Sequence, residues 1–171
     1  DYIVLGADAV TVNAGAGADM IFSGTAADNI AADAGNDVIN IAAAADHGAA
    51  EVIDGGTGAD TIRFNSVLGE TLVLSANVTN VETAAIASSN GTATGTTAES
   101  INASALTAGI ALVGNDGANT LTGSAFADSF VAGAGNDRMI VDDADTSTTQ
   151  KKLIGGVLGL VPVAIAKFGK K

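Results

Sequence analysis

Aspartates recur at a fixed interval in the glycine-rich parts of this chain. The nonapeptides that carry them run in phase over residues 5–40, resume over 46–63 after an insert, and return over 114–140. Their sixth position holds an acid or an amide at these places: Asp19, Asp28, Asp37, Asp60, Asn119, Asp128 and Asp137. Carboxylate oxygens without thiol neighbours favour a hard cation, and calcium above the transition metals. Magnesium fits less well, because it requires near-ideal octahedral geometry.

Glycines at the second and fourth positions of the nonapeptide predict tight turns. Glycine adopts the positive φ angles of such turns and lets backbone carbonyls approach a ligand closely. We therefore expect one set of glycines to shape the turns and to expose carbonyl ligands to calcium: Gly15, Gly17, Gly35, Gly56, Gly58, Gly133 and Gly135.

The elements that position these residues follow from the rest of the nonapeptide. One large apolar residue in nine, beside two glycines, does not make an amphipathic helix. A turn followed by a three-residue strand with one inward apolar side chain fits instead. Units 18 residues apart then stack on the same side. This places Asp19, Asp37 and Asp60 in one row with Asp28 opposite, and Asn119 and Asp137 in an equivalent row with Asp128 opposite.

Composition excludes several classes of protein. The chain has no Cys, no Trp and one histidine, His47, which argues against disulfides, zinc sites and histidine-dependent catalysis. We expect His47 on the surface and no enzymatic activity. The net charge of −12 combines −17 over residues 1–150 with five lysines over 151–171. An acidic body argues against nucleic acid and is compatible with cations.

The repeat resembles the RTX (repeats-in-toxin) family, whose motif is G-G-x-G-x-D-x-U-x with U a large apolar residue. Gly55–Arg63 matches every defined position, and Ala14–Phe22 and Ala132–Ile140 lose only the first glycine. The resemblance implies an all-β parallel β-roll, or β-solenoid, with several calcium ions in its glycine–aspartate turns. It also implies folding on calcium after secretion, usually by type I secretion.

Some units depart from that motif. Val10 and Asn119 replace the acid, Ala26 and Phe126 replace the fourth-position glycine, and Asp33 replaces the second. The alternative interpretation of the whole repeat is a calcium-free solenoid in which Asp and Asn side chains only cap turns.

The repeat divides the chain into four parts. We expect a first RTX block at 1–63, a metal-free solenoid insert at 64–113, a second RTX block at 114–145, and a linker with a basic apolar tail at 146–171. The insert is rich in Thr, and a flat threonine face is a candidate surface for ice or glycan. Thr is also simply a good strand residue.

The two ends of the chain carry separate expectations. The chain starts at Asp1 without Met or a signal peptide, which indicates a processed form or an excised fragment. Three interpretations of residues 151–171 stay open: a cap on the solenoid, a membrane-active or anchoring segment that meets lipid, or an appended sequence.

The sequence as a whole favours a secreted, extracellular or cell-surface protein. The hypothesis is a calcium-stabilised structural module of a bacterial surface layer, adhesin or extracellular fibre. Such a module self-associates in calcium as an oligomer, filament or sheet. The alternative is the C-terminal folding and secretion module of an RTX protease, lipase or membrane-active toxin.

Overall fold

The computed structural model describes residues 1–141 and 153–154. In this part the chain forms short strands and one 3₁₀ helix, Ala44–Asp46. The strands are β1 (Tyr2–Val4), β2 (Thr11–Asn13), β3 (Met20–Phe22), β4 (Asn29–Ala31), β5 (Val38–Ile41), β6 (Val52–Asp54), β7 (Thr61–Phe64), β8 (Thr71–Val73), β9 (Val78–Thr79), β10 (Thr83–Ile86), β11 (Ser100–Asn102), β12 (Ala111–Val113), β13 (Thr120–Thr122), β14 (Ser129–Val131), β15 (Arg138–Ile140) and β16 (Leu153–Ile154).

The strands build two faces of a solenoid. One face is an eight-stranded sheet in the order β1-β3-β5-β7-β10-β12-β14-β16. The other face consists of two four-stranded sheets, β2-β4-β6-β9 and β8-β11-β13-β15. Neighbouring strands pair in parallel throughout these sheets. The chain therefore winds from one face to the other and back, which confirms the expected all-β parallel solenoid.

The length of a coil changes along the axis. Tyr2 pairs with Met20, so the first coil takes 18 residues, as two nonapeptides require. In the middle of the chain Thr83 pairs with Ala111, so that coil takes 28 residues. One coil there contributes both β8 and β9 to the second face, which divides that face into its two sheets. Because β10 pairs with both β7 and β12, the eight-stranded sheet continues through residues 64–113 without a break.

The core is a narrow double column of apolar side chains between the faces. Each three-residue strand places its central residue inward and its neighbours outward. The four-residue strands β5, β7 and β10 also bury their last residues, Ile41, Phe64 and Ile86. Burying a side chain of this size contributes about 1.5–3 kcal/mol. The buried central residues are Ile21, Ile39, Ile62, Ala84, Leu112 and Phe130 on the first face, and Ile30, Ile53, Leu72, Ile101, Leu121 and Met139 on the second.

The lysine-rich tail falls largely outside the described residues. Leu153–Ile154 forms β16 beside β14, and the three interpretations of the tail otherwise concern residues that the structure does not describe. Among the described residues, no helix is long and apolar enough to cross a membrane.

Candidate calcium sites

Turns between the faces form two edges of the solenoid, and acidic residues lie at the end of many of these turns. We call the turns that lead into the eight-stranded sheet the first edge. The turns that lead into the two four-stranded sheets are the second edge. On the first edge, Asp19, Asp37 and Asp60 directly precede β3, β5 and β7, which are neighbours in the sheet. The three carboxylates therefore lie in one row, one per coil.

Backbone hydrogen bonds link the members of this row. The amide N–H of Asp19 donates to Oδ1 of Asp37 at 2.7 Å, and that of Asp37 donates to Oδ1 of Asp60 at 2.8 Å. The N–H of Asp60 donates to Oε2 of Glu82 at 2.7 Å. The α-ammonium group of Asp1 contacts the Asp19 carboxylate. Each coil thus orients the carboxylate of the next.

The other sixth-position residues of the predicted set lie on the second edge, except Asp128. Asp28 accepts the N–H of Val10 at 3.0 Å, and Asp137 accepts the N–H of Asn119 at 2.9 Å. Asp128 lies on the first edge, before β14. Asn119 and Asp137 therefore share an edge with Asp28, whereas Asp128 shares one with Asp19.

Four of these carboxylates have one oxygen buried without a partner. Asp19, Asp28, Asp37 and Asp60 are between 0% and 3% exposed. In each, Oδ1 accepts a hydrogen bond and Oδ2 is buried with no hydrogen-bond donor. An ionised group in such a place is strongly destabilising unless a positive charge lies beside it. The orphaned oxygens therefore fit a cation bound between successive turns.

Burial acts on the protonation of two carboxylates of the predicted set, Asp60 and Asp137. Burial raises the pKa of Asp60, and the neighbouring charges of Asp37, Glu82 and Asp54 raise it further. Burial also raises the pKa of Asp137. The folded chain by itself therefore disfavours the ionised forms of Asp60 and Asp137, as expected for carboxylates whose charge is balanced by a bound cation.

The predicted turn glycines lie beside the carboxylates. All seven have positive φ angles, from 86° at Gly133 to 156° at Gly35. A Cβ at Gly35 would overlap the carbonyl oxygen of Gly17, and a Cβ at Gly58 would overlap that of Gly35. Carbonyl oxygens of successive turns therefore stand in line on the first edge. Asp33, which replaces a glycine, also adopts a positive φ of 71°.

These groups suit calcium in their chemistry. Calcium takes about six to eight oxygen ligands from carboxylates, carbonyls and water in flexible geometry. Within the described residues, no three His, Asp or Glu side chains come together as a ready-made metal cluster. An ion between two turns would therefore be held by a carboxylate from each coil together with backbone carbonyls.

Two other members of the predicted set, Asn119 and Asp128, each make hydrogen bonds with a residue four positions earlier in the chain. Asn119 donates from Nδ2 to the Glu99 carbonyl at 2.8 Å and accepts the N–H of Asn115 at 2.9 Å. Asp128 accepts from the N–H and hydroxyl of Ser124 at 2.8 and 2.9 Å. These contacts are those of turn-capping side chains.

The sequence pattern did not predict that four glutamates occupy the position directly before a strand that the sixth-position aspartates occupy elsewhere. Glu51, Glu70, Glu82 and Glu99 directly precede β6, β8, β10 and β11. Each lies two residues before an inward-facing apolar residue, as the sixth-position aspartates do. That spacing was a usable signal, but none of these glutamates follows glycines at both the second and the fourth positions of the nonapeptide.

His47 is buried, so the expectation of a surface histidine was wrong. It is 5% exposed, and its Nδ1 lies 3.4 Å from Oε2 of Glu51. The N–H of Ser75 donates to its Nε2 at 3.4 Å. Burial raises the pKa of Glu51. The imidazole was misplaced because the chain from the insert 41–45 into the nonapeptide 46–54 forms a 3₁₀ turn, Ala44–Asp46, which the nonapeptide pattern does not reveal.

Fold and turns together define a solenoid whose edges are lined by oxygen ligands. The model of the RTX calcium-binding nonapeptide repeat matches the chain in four copies, at residues 1–30, 22–40, 48–63 and 113–145. These copies span just over half of the 171 residues, and the chain belongs to this family. Such repeats bind calcium and are typical of secreted bacterial proteins. No curated protein and no solved structure matches the chain.

Proposed function

We propose that this chain is a secreted, calcium-stabilised structural module of a bacterial surface layer, adhesin or extracellular fibre. The carrying observation is the set of buried aspartates with one oxygen lacking a donor: Asp19, Asp28, Asp37 and Asp60. These groups make folding depend on a cation, because the unfolded chain has no assembled site. Extracellular calcium modules bind with constants of about 10⁻⁴–10⁻³ M. A module of this affinity stays unfolded in the cell and folds outside.

The exposed surface supports a role in assembly. The turn between β7 and β8 presents Val67 and Leu68 side by side, 78% and 72% exposed. Two adjacent large apolar side chains at the tip of a turn lose unfavourable contact with water when they meet another surface. The rigid, acidic solenoid thus offers a local apolar contact for a second copy of itself.

Self-association is the test of this proposal. We expect the calcium-loaded chain to form concentration-dependent oligomers in light scattering after size exclusion, and filaments or sheets in electron micrographs. The double variant V67S/L68S should reduce assembly. The variant Phe126→Ser, which removes another exposed apolar side chain, serves as the matched control and should assemble normally.

A folded chain that stays monomeric at every concentration in calcium would contradict the structural role. That outcome would favour the alternative function, a calcium-dependent folding module of a larger secreted protein.

A further inference from the structure

A cavity lined by both polar and apolar residues lies in the insert 64–113, with Asn115 of the second block at its margin. It has a volume of about 320 Å³ and lies on the second edge, between the residues that precede β8 and the segment that precedes β11. Its lining comes from residues 65–67 and 86–88, from five residues of the range 92–99, and from Asn115, and it includes several Ser and Thr residues. One water molecule needs only about 15 Å³, so the cavity has room for an ion with several waters.

Two acceptor oxygens in the lining have no donor. Glu99 is 2% exposed, and its Oε1 is buried without a hydrogen-bond partner. The Oδ1 atom of Asn65 is also buried and unpartnered. Both residues line the cavity. Leaving such groups unpaired is destabilising, and more so for a charged group. Each therefore calls for a donor or a cation inside the cavity.

The charge around Glu99 favours a cation. Thr71 pairs with Ser100, which places Glu70 and Glu99 in successive coils at the position that the aspartates hold elsewhere. Burial, followed by the charge of Glu70, raises the pKa of Glu99 to about 7. The lining residues include no Lys or Arg. Arg63, which is outside the lining, donates to the Ser89 carbonyl at 2.8 Å.

The neighbours of Glu99 are held in place. Glu70 accepts the Ser66 hydroxyl at 2.9 Å and the N–H of Ala44 at 3.0 Å. On the other side of the cavity, the side chain of Asn115 donates to the Thr97 carbonyl at 3.1 Å. The walls are therefore built by hydrogen bonds that do not use Oε1 of Glu99 or Oδ1 of Asn65.

We propose that this cavity binds a calcium ion that keeps part of its water shell, with Glu99 and Asn65 as its side-chain ligands. The side-chain oxygens in the lining come from Glu, Asn, Ser and Thr. Such oxygens suit calcium, which accepts irregular coordination and water ligands. This site assigns metal binding to the insert 64–113, which carries no Gly–Asp turn. It rests on a different set of residues from the repeats and does not depend on the proposed role in assembly.

Counting bound calcium tests the site. The full chain is dialysed against calcium chloride, and the ions per chain are measured by atomic emission for wild type, Glu99→Gln and Asp8→Asn. Asp8 is exposed, so its variant matches the charge change away from the cavity. We expect Glu99→Gln to bind one ion fewer than wild type with unchanged β content, and Asp8→Asn to bind the full number. Full occupancy in Glu99→Gln overturns the proposal.

A second measurement uses the wild-type chain and does not depend on how the variant folds. Crystals grown in calcium should show an anomalous peak in the cavity within coordination distance of Glu99 Oε1, about 2.3–2.6 Å. Water alone, or an organic molecule, in that cavity overturns the proposal. Peaks in the nonapeptide turns report on the repeats separately, so failure of this site and failure of the calcium-dependent role are distinguished.

Discussion

Replacing Asp37 with Asn is expected to raise the calcium concentration needed for folding by at least about tenfold, the smallest loss typical when only an outer-shell partner of a metal is removed. Asp37 is the middle member of the first-edge row and is fully buried. Its Oδ1 accepts the N–H of Asp19, and an amide oxygen can keep that bond. Its Oδ2 has no donor, and the variant would put an amide group with no negative charge at the proposed ion site.

The same substitution should act in the opposite direction without calcium. Removing one of three stacked carboxylates relieves repulsion in the row, so Asp37→Asn should have at least as much β structure as wild type in EGTA. Circular dichroism over a calcium titration measures both effects. The control is Asp8→Asn, because Asp8 is exposed. An unchanged calcium midpoint for Asp37→Asn would contradict its place as a ligand.

Replacing Gly58 with Ala is expected to destabilise the calcium-loaded fold by about 3 kcal/mol, the upper end for strained backbone at one residue. Gly58 has a φ of 142°, which side chains rarely permit. Its new Cβ would also overlap the carbonyl oxygen of Gly35 in the neighbouring turn. That carbonyl lies in the line of candidate calcium ligands, so calcium affinity should fall together with stability.

Thermal or urea unfolding in saturating calcium measures the effect of Gly58→Ala. Gly6→Ala is the matched control, since Gly6 is exposed and a Cβ there has nothing within 4 Å. The control should change stability by no more than about 0.5 kcal/mol, as surface substitutions usually do. Equal stability of the two variants would contradict the close stacking of the turns.

The fold could be predicted because each nonapeptide encodes its own turn and strand. A glycine turn and a strand with one inward residue repeat in phase, so the 18-residue coil and the alternation of faces follow from the spacing alone. The same spacing places the turn glycines, and Gly15, Gly56 and Gly135 have positive φ. Gly6 and Gly24 hold the same second position as Gly15 and do not have positive φ. Because the local pattern and the solenoid architecture agree, this one sequence was sufficient to predict the fold.

The parts that escaped prediction lie where the coil lengthens. The turns between β5 and β6 and those between β7 and β12 lack the paired glycines of the nonapeptide, and they hold the extra residues. Burial of His47 depends on contacts with Glu51 and Ser75, the latter 28 residues away, which no short motif encodes. The orphaned oxygen of Glu99 likewise depends on a cavity closed by distant segments.

Circular dichroism of the wild-type chain, first in EGTA and then after addition of excess calcium, tests the central claim most directly. The buried aspartates of both edges cannot all remain charged in a folded chain without a counter-ion. We therefore predict little β structure in EGTA at neutral pH and a cooperative gain of β structure on adding calcium. Equal β content in the two conditions would contradict calcium-dependent folding and would identify the aspartates as turn caps.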